Sequence, residues 1–99
     1  MSYANHVAAD ARLIILRELA VQTDGRLNST LLAAALDGFG HNRSREWLHT
    51  QINALQDIGA VQAVPAGSVL VVSITRIGLE HVHRRRQLDG VAIPTPGVE

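Results

Sequence analysis

The chain contains no cysteine. That absence excludes a disulfide framework, a thiolate metal site and cysteine nucleophilic chemistry, and it fits a reducing compartment without requiring one. Aromatic residues are nearly missing too, with one Trp, one Tyr and one Phe in 99 residues. The core must then come from the Leu, Ile, Val and Ala of a 46% apolar fraction, which suits small packed helices better than aromatic-rich sheets. Lysine is absent: all nine basic residues are Arg. Arg is the better residue for bidentate contact with phosphate or guanine, although a uniform bias also follows from genome base composition. There is no excess of either charge, nine basic residues standing against nine acidic ones. Nucleic-acid binders usually present a net positive surface, so only an uneven distribution of these charges would serve that role. Long hydrophobic runs are lacking as well. The longest within a helical pattern is Leu31 to Leu36, far short of a membrane span. The N-terminus shows no basic region followed by an apolar stretch, and the expected location is the cytoplasm.

What is present reads as one domain. Ser2 is placed to cap a first helix running to about Gln22, with Tyr3, Val7, Ala11, Ile14 and Leu16 toward one side. The Leu13-Ile14-Ile15-Leu16 block is apolar almost all round, which predicts cover on more than one face. A partner subunit or a C-terminal helix of the same chain would provide the second cover. Arg26-Leu27-Asn28 is long enough for a single strand-like bridge, and Asn28 or Ser29 caps a second helix, 30–37. A Gly- and Asn-rich turn, Gly38 to Asn42, follows. Ser44 then caps a third helix reaching Ile58, with Leu48, Ile52, Leu55 and Ile58 as its buried stripe and Gly59 as its stop. Beyond Gly59 the period changes. Residues 60–65 and 68–74 read as a β-hairpin joined through Ala66-Gly67. Thr75 caps a last helix to about Arg86. The expected organisation is a winged-helix domain over residues 1–88 and an extended or disordered tail over 89–99.

Helix, short strand, helix, turn, helix, hairpin, helix is the order of a winged helix-turn-helix, a mainly α fold with a small antiparallel hairpin. In that arrangement the helix after the turn offers its polar face to the major groove and the hairpin lies beside it. The stretch Leu48, Ile52, Leu55, Ile58-Gly59-Ala60-Val61 resembles the recognition helix and first wing strand of ArsR- and MarR-type regulators. Ile74-Thr75-Arg76-Ile77-Gly78-Leu79 is similar to their wing-to-helix junction. Met1 to Ala4, Arg12 to Leu16, Arg26 to Ser29 and Ile93 to Gly97 also resemble small ArsR-like proteins of Mu-like phages and prophages. The resemblance to the phage proteins implies the fold and not a role; a DNA-binding transcriptional regulator is the leading expectation, dimeric through its apolar first helix.

The candidate DNA readers sit on the third helix. With its apolar stripe inward, Arg45, His49, Thr50 and Asn53 fall on opposite or flanking faces. Arg45 and Asn53 have the geometry for guanine and adenine edges, while Arg43 and Ser44 with the helix N-terminus suit a phosphate. The competing reading is an ordinary solvated face, and Glu46 favours it. The wing tip, Val64 to Ser68, carries no Arg, Lys or His, so wing contact is not expected to be strong. Arg84-Arg85-Arg86, with Arg76 upstream, forms the dense basic region. It suits phosphate or an acidic partner, or else marks the positive end of a helix.

No metal site is expected. His81 and His83 are two apart on the predicted helix and point away from each other, and His6, His41 and His49 fall in separate elements. Surface or capping roles are assigned to these histidines, and Trp47 to packing. No phosphate loop, serine elbow or acid–base pair is present, so neither enzyme activity nor a cofactor is expected. Double-stranded DNA is the expected partner, together with a second copy of the chain joined through helix 2–22 and the C-terminal helix. The rival expectation is a protein-interaction module in phage assembly or DNA packaging that does not bind DNA. A regulator answering a small ligand in a dimer crevice is a third.

Overall fold

The computed structural model describes residues 2–95. Four helices and three strands follow in order: α1 (Tyr3–Ala20), β1 (Arg26–Asn28), α2 (Ser29–Gly38), α3 (Arg45–Asp57), β2 (Val61–Ala66), β3 (Val69–Ile74) and α4 (Arg76–Val82). This is winged-helix topology, as the sequence predicts. Each helix begins on a capping side chain. Ser2 Oγ accepts from Asn5 N at 3.1 Å, Asn28 Oδ1 from Leu31 N at 2.9 Å, Ser44 Oγ from Trp47 N at 3.0 Å and Thr75 Oγ1 from Gly78 N at 3.2 Å. Each cap contributes about 1 kcal/mol.

Three of the four helix ends share a mechanism as well. At the end of α3 the Gly59 and Ala60 amides return to the Gln56 and Leu55 carbonyls, with Gly59 at φ 82°. At the end of α2, Gly40 and His41 do the same onto Asp37 and Leu36. These are Schellman closures, which need a left-handed residue just past the helix. α4 closes identically, Arg84 and Arg85 returning to His81 and Glu80, but its left-handed residue is Arg84 at φ 62°. The helix therefore stops at Val82, four residues before the expected end at Arg86. No glycine announces the stop.

The sheet has the order β1-β3-β2, antiparallel throughout. β1 pairs with β3 over three residues, Arg26↔Ser73 to Asn28↔Val71, so it is more than the expected single bridge. β2 pairs with β3 from Val61↔Ile74 to Ala66↔Val69, which puts the hairpin turn at Gly67-Ser68, one residue later than expected.

The core gathers Ile15, Leu16 and Leu19 of α1 with Leu32, Ile52, Leu55, Val61 and Val72, all fully buried. Leu13 and Ile14 are buried too, at 5% and 8% exposure. The all-round apolar block of α1 is thus covered within one chain, and its pattern gives no reason to invoke a partner. Residues 88–95 supply part of the cover. Leu88 and Val91 join the core, and Ala92 N donates to Ala9 O of α1 at 3.1 Å. The packing does not break at residue 88; residues 96–99 of the expected tail lie outside the described residues.

Two buried polar residues secure this arrangement. His81, expected at the surface or in a cap, is 1% exposed. Its Nδ1 accepts from Leu88 N at 3.1 Å, so Nε2 carries the proton and donates to Ala92 O at 2.9 Å. Gln51, 4% exposed, accepts from Arg12 Nε at 2.8 Å, and Arg12 also donates to Gly90 O at 3.1 Å. One guanidinium thereby ties α1, α3 and the final segment together.

Candidate nucleic-acid interface

The orientation of α3 is set by its apolar stripe. Leu48, Ile52 and Leu55 are buried, whereas Ile58 at the C-cap is 37% exposed and does not complete the stripe as expected. Outward on the helix lie Arg45, Glu46, Thr50, Asn53 and Asp57, all exposed. Glu46, Thr50, Asn53 and Asp57 follow one another at helical spacing and form a single ridge.

Arg43, Ser44, Arg45, Thr50 and Asn53 are therefore brought to one accessible end and face of α3. Their chemistry is uneven. Arg43 lies over the Trp47 ring, 5.1 Å from its centroid, a cation–π contact that draws it toward the turn. Ser44 already uses its hydroxyl as the cap. Arg45 stands 4.0 Å from the Glu46 carboxylate, a loose exposed pair of little energetic value. Thr50 Oγ1 donates back to Glu46 O at 3.0 Å, leaving the hydroxyl as an acceptor. Asn53 is exposed, and its side-chain amide forms no hydrogen bond among the described residues. His49 departs from expectation: it is half-buried, and its Nε2 is shut off from solvent with no hydrogen-bond partner among the described residues.

The turn before α3 is braced rather than loose. His41 Nε2 meets Asp10 Oδ2 of α1 at 2.7 Å, with the histidine side chain only 12% exposed. Nothing in the sequence pairs these residues, which lie 31 apart. Behind the turn, His41, Asn42, Arg43 and Trp47 line a pocket of about 270 Å3 with Leu36 and Asp37 of α2. On the other flank, Gln56 Oε1 accepts from Ala63 N of β2 at 2.7 Å, so the end of α3 grips the wing. The wing tip from Val64 to Ser68 is exposed and uncharged.

The second group of candidate residues lies elsewhere. Arg76 Nε is 3.5 Å and Arg86 Nε 2.8 Å from the two carboxylate oxygens of Glu80, and Arg84 donates to Pro94 O. The Arg86 hydrogen bond, with help from its charge and from Arg76, holds the Glu80 carboxyl below its ordinary pKa. Arg84 to Arg86 sit in the turn past α4, so they are not the last turn of a helix as expected. They share a pocket with Ile93 and Pro94, away from the pocket of Arg43.

Over 87 residues the chain is 33% identical to "Uncharacterized protein gp26" of Escherichia phage Mu, an alignment covering 88% of this chain and 90% of that protein. The chain belongs to the phage Mu gp26 family. No family model matches it, and no solved structure matches it. The phage side of the sequence resemblance is thereby shown, while the ArsR and MarR side gains no family assignment. The alignment takes in most of both chains, so the two are of similar length. No helix of the described residues is long and apolar enough to cross a membrane.

Proposed function

We propose that this gp26-family protein is a non-enzymatic winged-helix DNA-binding protein, a phage or prophage transcriptional regulator acting in the host cytoplasm. α3 enters the major groove. The observation that carries this reading is the uncovered outer face of α3, with Arg43 and Arg45 at its N-terminus and Thr50 and Asn53 along it. Arg45 and Asn53 read base edges, while Arg43 and the capped N-terminus meet phosphate. The likeness of the α3–β2 and β3–α4 segments to ArsR- and MarR-type regulators supports it. Reading two half-sites about one helical turn apart requires a homodimer.

One observation favours a second reading, a protein-interaction module in phage assembly or DNA packaging. The same ridge carries Glu46 and Asp57, and the wing is neutral, so the DNA-facing surface is not decisively positive. Exposed Leu31 and Phe39 on and after α2 would serve a protein partner instead.

Fluorescence anisotropy with a labelled mixed-sequence duplex, repeated as salt rises, separates the two. A DNA-binding protein weakens with a log–log slope of about −0.9 per neutralised phosphate, and Arg43→Ala makes that slope shallower by about one contact. No binding at low salt removes the first reading and leaves the second.

A further inference from the structure

Three of the nine arginines, Arg84, Arg85 and Arg86, line a pocket of about 300 Å3 beyond α4 together with His81, Ile93 and Pro94. Among the described residues, no carboxylate lines it. Glu80 pairs with Arg86 and Arg76 from the side, fixing one wall. Arg84 occupies a left-handed position, φ 62°, that glycine would take without strain; the equivalent positions after α2 and α3 are glycines. Its side chain explains the exception: it donates to Pro94 O and so holds the opposite wall in place. Arg85 is exposed and forms no ion pair among the described residues. His81 offers no donor here, because both ring nitrogens are engaged.

We propose that this pocket binds a phosphate group, with the Arg85 guanidinium as its principal fork and Arg84 and Arg86 flanking it. Each guanidinium carries five N–H donors, so the bonds to Pro94 and Glu80 leave donors to spare. Planar forks match phosphate oxygens in pairs, and three adjacent positive charges suit a dianion better than a single carboxylate. Ile93 and Pro94 give the remainder of the ligand an apolar wall. The phosphate belongs either to a free phosphate monoester or to a nucleic-acid backbone; in both cases the site is separate from α3.

The test is a titration of the full chain with inorganic phosphate, and with a nucleoside monophosphate, followed by amide chemical shifts. Saturable shifts are expected at residues 84–87 and at Ile93. Arg85→Ala weakens binding about tenfold or more while leaving the melting temperature unchanged, since its side chain makes no bond among the described residues. Arg45→Ala leaves phosphate binding as it was. Displacement of the phosphate by a short duplex assigns the group to a nucleic-acid backbone. Displacement by the monophosphate but not by the duplex assigns it to a free ligand. Absence of saturable binding, or binding that survives both Arg85→Ala and Arg86→Ala, overturns the proposal.

Discussion

At the residue scale, single side chains hold contacts that pattern alone does not reveal. Gly78 belongs to the Thr75-Arg76-Ile77-Gly78 junction, and the structure supplies the reason for its small size. Thr75 N donates to Ala60 O at 3.0 Å and Thr75 Oγ1 to Gly59 O at 2.6 Å, which pulls the start of α4 onto the α3–β2 corner. A Cβ at Gly78 would collide with the Ala60 carbonyl oxygen and sit 2.8 Å from the Ile74 side chain. Gly78→Ala is expected to lower stability by about 1–3 kcal/mol in urea denaturation. Glu80 gives a pH signature. Its carboxyl is held low by the Arg86 hydrogen bond, so its contribution is present above the unfolded value of 4.5 and is lost as pH falls through the lower folded value. Melting curves of Glu80→Gln should therefore lie below the parent at neutral pH and converge with it below that value. His81, Gln51 and the His41–Asp10 pair were not legible, because polar residues buried by long-range partners leave no periodic trace.

At the scale of elements, helix starts were more legible than helix ends. Ser2, Ser44 and Thr75 cap as the sequence predicts, since a capping side chain acts within its own few residues. The end of α4 was not, because Arg84 takes a place usually marked by glycine. His83 is the C-cap and Arg84 to Arg86 turn away from the helix axis, so the basic run loses its helical reading. The packing of the segment after Leu88 was not legible either. Its Gly and Pro residues predict an extended or disordered tail; residues 89–95 hold no helix or strand, yet Val91 is 6% exposed and His81, Arg12 and Arg84 donate to the carbonyls of Ala92, Gly90 and Pro94. A chain ending at Leu88 should lose about 2–4 kcal/mol of stability, from burial of Val91 and the polar groups left unpaired. Chemical denaturation measures that loss. An unchanged midpoint would mean that residues 89–95 do not support the core.

At the scale of the whole molecule, one chain completes its own core. The apolar block of α1 is enclosed by α2, α3, β3, α4 and the final segment, so this part of the core is covered from within the chain. The thermal midpoint is expected to be independent of protein concentration; a rise with concentration would show that a partner covers part of the fold. A homodimer on DNA would then form between already folded chains. The winged helix itself was legible because it rests on helix periods, a change to strand period after Gly59 and local caps. The candidate face was only partly so. Arg45, Thr50 and Asn53 are exposed where the helical period puts them, but the half-burial of His49 and the bracing of the preceding turn depend on three-dimensional neighbours.

The central claim is that α3 is the DNA-reading element. Amide chemical-shift mapping of the full chain against a mixed-sequence duplex at low salt tests it most directly. Shifts concentrated on Arg43, Arg45, Thr50 and Asn53, fading as salt rises, are the predicted result. A spectrum unchanged over residues 43–57, or shifts confined to Arg84–Arg86, would contradict it.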